Sequence, residues 1–196
     1  MPAPTDHDAR RRDVTEAVWR VLARTGFAGL SLRAVAAEMG ATTGLLTHYF
    51  PGKRALVEHA LQVVHERTDV LLHDEPSEPG LTGLRSRLQS VLPTSAEGVV
   101  LSRIWVSFWD LALADEEWSR AEAARYDRWR GKLRPHVVAA LEREELARAD
   151  PEALLDTLTS FTHGLVVQAL FDPTRYPAER QRAVLDNLLA ALRVPA

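Results

Sequence analysis

The stretch SLRAVAAEMGATTGLLTHYFPGK, from Ser31 to Lys53, constrains this chain more than any other part of it. Ala36, Gly40 and Leu46 stand at the spacing of a helix-turn-helix: a small residue where two helices cross, a glycine that permits a left-handed turn, and an apolar residue that locks the second helix. Val35, Met39, Ala41 and Tyr49 fall where a small three-helix core needs apolar groups. The polar remainder, Thr42, Thr43, Thr47 and His48, then points outward from the second helix, as a DNA-reading element requires.

A net charge of −3 argues against nucleic acid only until it is divided along the chain. Residues 1–54 carry eight basic side chains against five acids, a balance of +3, and the remainder carries sixteen against twenty-two, a balance of −6. Such a chain presents one end to DNA and repels it elsewhere. The Arg10-Arg11-Arg12 run belongs to the basic end, where it suits a solvated helix face as well as a phosphate or a minor groove.

With 196 residues, 46% of them hydrophobic, the chain can bury one sizeable core or two small ones. It has no cysteine, which excludes disulfides and thiolate chemistry. No signal-like N-terminal segment and no unbroken apolar run long enough for a bilayer is evident, so a cytoplasmic location with no membrane partner is expected.

Apolar residues recur at three and four, and turn signals come at helix-length intervals, which predicts an all-α fold of about nine helices. The first covers about 8–24 and is ended by Gly26; Ser31 caps the second, which stops at Gly40. The third runs over about 42–49, and after Pro51-Gly52 a long fourth covers about 53–73. Others are expected at about 81–92, 96–113, 116–147, 151–171 and 178–193, the fourth of these opened by Asp150-Pro151. The Pro- and Glu-rich EPSEPG at 75–80 separates two functional parts, read as a helix-turn-helix domain at 1–54 and a helical effector and dimerisation domain at 55–196.

The block from Ala9 to Leu61, and above all GLLTHYFPGK, resembles the DNA-binding domain of TetR-family transcriptional regulators. TGLLTHYF, with the later FWDLALADEEW and LFDP, is similar to the BetI-type branch. The resemblance implies an all-helical homodimer with an N-terminal three-helix reading head and a C-terminal part that holds a ligand pocket and the dimer interface. It implies that Arg33 reaches a base edge, that Thr43, Gly44 and Thr47 face the bases, and that Ser31, His48, Tyr49 and Lys53 hold phosphates. Many members have tyrosine where this chain has Thr47, so its operator is its own.

Trp105, Phe108 and Trp109, with Trp118, Tyr126 and Trp129 further on, stand at helical spacing and are candidates for an effector pocket, Asp110 supplying a counter-charge. The BetI-type resemblance implies a quaternary ammonium such as choline; an apolar ligand, or simple core packing, suits the same rings. Leu154, Leu158, Phe161 and Leu165 share one helix face, and Leu185, Leu188, Leu189 and Leu192 another, which makes them candidates for a four-helix dimer bundle or for the subunit's own core.

His65, Asp69 and His73 recur every four residues, too spread over successive turns for one ion, so no metal site is expected. No catalytic motif and no cofactor motif is present. The sequence therefore reads as a ligand-responsive transcriptional regulator, a repressor acting as a homodimer on double-stranded operator DNA, and not as an enzyme; the competing reading is an all-helical enzyme that uses the aromatic pocket for catalysis.

Overall fold

The computed structural model describes residues 6–72 and 78–194. Among these residues the regular structure is helical throughout: α1 (Asp6–Thr25), a 3₁₀ turn (Phe27–Gly29), α2 (Leu32–Glu38), α3 (Thr43–Thr47), α4 (Lys53–Leu72), α5 (Leu81–Ser90), α6 (Ala96–Leu113), α7 (Glu116–Glu142), α8 (Pro151–Phe171) and α9 (Ala178–Ala191). His73 and residues 75–77 of the EPSEPG segment lie outside the described residues.

Side-chain caps fix four of the helix starts. Ser31 accepts from the Ala34 amide, Ser95 from Gly98, Asp115 from Glu117 and Trp118, and Asp150 from Glu152 and Ala153 with Pro151 beside it. Two departures from the sequence expectation lie at helix ends. α3 closes at Thr47, and His48 to Phe50 continue in a tighter turn bonded to the Leu45 and Leu46 carbonyls. α7 ends at Glu142 rather than near 147, because Glu144 takes a left-handed φ of 55° and the Glu145 amide closes onto the Ala140 carbonyl at 2.8 Å. That is a Schellman end without its usual glycine, so the sequence carries no stop signal there.

The chain forms two compact units. The first comprises the described residues through Leu71 together with Arg103–Leu111 of α6. Val18, Val21 and Leu22 of α1, Val35 of α2, Leu46 of α3, Leu56, Val57 and Val64 of α4, and Ile104 and Phe108 of α6 are among its buried side chains. The Phe27 and Phe108 rings pack at 5.0 Å, and the Phe27 amide donates to the Ser107 hydroxyl at 3.0 Å.

The second unit is built on α5, α7, α8 and α9, with Leu88, Leu133, Val137, Leu155, Leu158 and Leu185 at its centre. α7 and α8 run antiparallel: Arg134 pairs with Glu152, Arg130 with Asp156 at 3.0 Å, and the Tyr126 ring meets that of His163 at 4.9 Å. α5 reaches α9 through a bidentate Arg85–Asp186 pair at 2.6 and 2.7 Å, and Glu145, just past α7, accepts from the Leu81 amide at the start of α5. Gly83 is required by contact, since a Cβ there would lie 2.4 Å from His136 Nδ1.

Candidate nucleic-acid interface

The first unit orders the reading head by local rules. α2 closes in a Schellman motif: the Gly40 amide reaches the Ala37 carbonyl at 3.2 Å, the Ala41 amide reaches that of Ala36 at 2.9 Å, and Gly40 stands at φ 62°. That turn sets α3 against α2 through Val35, Ala36 and Leu46, all buried. Met39, Ala41 and Tyr49, expected in the same core, are only half-buried. Glu38 is tied back to α1 by Arg20 at 2.8 Å and Arg24 at 2.9 Å, and these hydrogen bonds, Arg20's first, hold its carboxyl below the usual carboxylate range. The sequence reading missed this clamp, although Arg20 and Arg24 at a helical spacing of four were a signal for it.

Of the nine residues assigned to DNA, Ser31, Arg33, Thr42, Thr43, Gly44, Thr47, His48 and Lys53 are exposed and Tyr49 is half-buried. Gly44 is the most informative. A Cβ there would meet nothing nearer than Thr42 Oγ1, at an ordinary 3.8 Å, and its φ is not positive. The fold does not need a glycine at this position, whereas a surface that must come close to another molecule does. Thr47 donates its hydroxyl proton to the Gly44 carbonyl at 2.8 Å, which leaves its methyl and oxygen lone pairs for an outside partner. Lys53 opens α4, where a cation and the helix N-terminus together favour an anion.

Beside this surface lies a cleft of about 470 Å³ lined by Arg11, Val14, His48, Tyr49, Phe50, Ala55, Glu58, His59 and Gln62. The His59 ring packs tilted against that of Phe50 at 5.2 Å, and its Nε2 lies 3.2 Å from the Thr15 hydroxyl. Burial, then the Arg11 charge, push its imidazole below the ordinary value, so it is neutral near pH 7. Arg11, part of the N-terminal arginine run, thus borders the same face as His48 and Tyr49.

The aromatic candidates are divided. Trp105 and Phe108 are packed in the first unit, where Trp105 Nε1 donates to the Thr68 hydroxyl at 3.0 Å and its ring meets His65 edge-on. Trp109, in the same segment, is half-buried with its Nε1 enclosed and unpartnered, and Asp110 is exposed. Trp118, Tyr126 and Trp129 lie on α7 in the second unit, half-buried. The dimer candidates also divide. Leu154, Leu158, Leu165, Leu185 and Leu189 are buried in the second unit's own core, whereas Phe161, Leu188 and Leu192 are partly buried against it. Leu158 and Leu185 have no exposed surface in the subunit, and Leu154, Leu165 and Leu189 have only 6%, 3% and 4%, so most of their apolar surface is spent on the subunit's own core.

Comparison with known proteins then decides the family. Residues 14–60 match the N-terminal pattern of the bacterial regulatory proteins of the tetR family, and residues 81–194 match the C-terminal domain of BetI-type transcriptional repressors. The chain belongs to the TetR family, with a BetI-type C-terminal domain. It is 29% identical over 193 residues to the HTH-type transcriptional regulator PksA of Bacillus subtilis, covering 94% of this chain and 90% of that one. A transcriptional regulator from Rhodococcus superposes with a TM-score of 0.79 at 20% identity, over 94% of this chain and 98% of the other. A regulator from Saccharomonospora viridis in complex with choline superposes at 0.76 with 21% identity, over 93% and 96%. As a TetR-family member this protein is a DNA-binding transcriptional regulator, and its partners are double-stranded DNA and a second copy of itself. No described helix is long and apolar enough to cross a membrane.

Proposed function

We propose that this TetR-family regulator is a ligand-responsive repressor that reads a near-palindromic operator as a homodimer, with α3 in the major groove and α2 crossing the backbone. Gly44 carries the reading: an exposed glycine on α3 that the subunit's own packing does not call for. Arg33 reads a base, for which its planar fork suits guanine; Thr43 and Thr47 meet base edges; Ser31, Thr42, His48, Tyr49 and Lys53 position the module on phosphates.

The dimer face is the exposed side of α8 and α9 rather than the leucine stripes. Thr157, Ser160, Gly164, Gln168 and Phe171 on α8, and Ala183, Asn187, Ala190 and Val194 on and just beyond α9, are exposed at intervals of three and four. A Cβ at Gly164 would meet nothing within 4 Å, and Phe171 is 83% exposed. Small residues flanked by an exposed aromatic suit close helix–helix packing between copies.

An effector bound in the second unit favours a dimer state that does not span both half-sites, so effector and operator weaken each other reciprocally. The choline complex of the Saccharomonospora viridis regulator supports a small-molecule effector for this architecture. Selecting operator fragments with the purified protein tests the proposal: two inverted half-sites, centres about 34–36 Å apart or a multiple of that, are expected. Recovery of a single unrepeated site would overturn it.

A further inference from the structure

The seam between α7 and α8 holds more polar groups than its packing uses. Thr159 is 4% exposed and its Oγ1 is enclosed with no partner. Thr15, Thr25, Thr68, Thr157 and Thr162 each give their hydroxyl proton to the carbonyl four residues back, the ordinary resting place of a helical threonine. Thr159 does not. Across the seam, Trp129 Nε1 is likewise enclosed and unpartnered. The antiparallel register set by Arg130–Asp156 and Tyr126–His163 places Trp129 and Thr159 at about the same level along the seam.

The neighbouring groups fix the charge of this place. Glu122 grips Arg125 through two hydrogen bonds, at 2.5 and 2.9 Å, and the Arg125 guanidinium lies over the Tyr126 ring at 4.9 Å. The cation on that aromatic face is therefore the protein's own, and the face is already occupied rather than open to a ligand cation. His163 gives its Nδ1 proton to the Thr159 carbonyl at 2.8 Å, and burial lowers its basicity, which leaves Nε2 as a neutral acceptor. The seam thus carries an indole N–H and a hydroxyl without partners, and the charge of Arg125 is paired within α7.

We propose that this seam is the effector's polar anchor and that it takes an uncharged ligand bearing a carbonyl-type acceptor on an apolar body, not a quaternary ammonium. The acceptor receives the Trp129 Nε1 proton and the Thr159 hydroxyl proton together. This rests on the ligand-responsive reading above, and deepens it.

The test uses the full-length protein with N,N-dimethylhexanamide, hexyltrimethylammonium and choline as probes, binding being followed by calorimetry and operator release by fluorescence anisotropy. Thr159→Val deletes one proton donor and keeps the shape; Trp129→Phe deletes the other and shortens the ring. The amide is expected to bind at least tenfold more tightly than either cation, and each variant to lose about tenfold for the amide alone. Because Thr159→Val removes an unsatisfied buried group without opening a cavity, that variant without ligand should melt no lower than the parent. Equal affinity for the cations, no amide binding at millimolar concentration, unchanged amide affinity in both variants, or a Thr159→Val protein that melts well below the parent overturns the assignment. Amide binding without operator release leaves the anchor standing and defeats the regulatory reading; operator release by choline without amide binding defeats the anchor alone.

Discussion

Replacing Gly44 by alanine separates what the fold requires from what DNA requires. The new methyl would meet only Thr42 Oγ1, at an ordinary 3.8 Å, and the backbone at 44 is not in the left-handed region. Stability should therefore rise, by about 0.4–1 kcal/mol, because alanine restricts the unfolded chain without straining the folded one. For a protein of this size that is a melting temperature about 1–4 °C higher. The same methyl would intrude on the closest approach of α3 to the groove, and overfilling a tight contact costs about 1–3 kcal/mol, a loss of roughly five- to 150-fold in operator affinity. Gly40→Ala is the counterpart: it stands at φ 62° with open space around it, so only backbone strain opposes alanine, and stability should fall by about 1–2 kcal/mol. Melting curves and operator titrations of the two variants suffice. A Gly44→Ala protein that binds its operator as tightly as the parent would refute the groove-facing role, and one that melts lower would refute the open packing.

Lys53→Ala should weaken all DNA sequences alike and reduce the salt slope by about one, whereas Arg33→Ala should relax specificity at one base pair by about 1–3 kcal/mol; titrations against single-base variants of the operator check both. Glu144→Gly should stabilise the protein by about 1 kcal/mol, since glycine adopts its φ of 55° without a Cβ penalty, and an unchanged melt would show that no such strain exists. Gly164→Leu should abolish the dimer, seen as monomer by sedimentation with helical content retained; a persistent dimer removes that face from the interface. Burial lowers the pKa of His59, His136 and His163, so below about pH 6.5 the unfolded chain binds protons that the native state refuses. Stability should fall as pH drops from 7.5 to 5.5, less steeply in His163→Gln, and a flat profile would contradict their burial.

The helix order was legible because its signals are local. Ser31 and Asp150 are caps in the sequence and caps in the structure, and Gly26 and Gly40 stand at the positive φ that their positions demand. The end of α7 was illegible for the same reason inverted, since Glu144 does the work of a glycine. The proposed reading head is one contiguous motif, so its candidate residues could be named from the sequence alone. The α7–α8 seam was not: Glu122, Arg125, Thr159 and His163 acquire meaning only when two helices are set in register, and a hydroxyl that declines its carbonyl leaves no trace in sequence. The leucine stripes were ambiguous for another reason. Periodicity identifies an apolar face without saying whether the subunit's own core or a second copy covers it, and Leu158 and Leu185 turn out wholly interior.

Gly26 and Ser107 bear on how such regulators can be recombined. A Cβ at Gly26 would lie 2.6 Å from Ser107 Oγ, and that hydroxyl accepts from the Phe27 amide while donating to the Ile104 carbonyl at 2.7 Å. The turn after α1 is thus shaped to a segment of α6 eighty residues later in the chain. A reading head transplanted as a contiguous N-terminal cassette would leave that complement behind, baring Phe27 and depriving its amide of an acceptor. Chimeric regulators made by joining heads and bodies within α4 should therefore inherit a defect that a matched 103–111 segment repairs. Lineages that exchange operators have reason to change the outward residues of α2 and α3 in place rather than to trade whole heads.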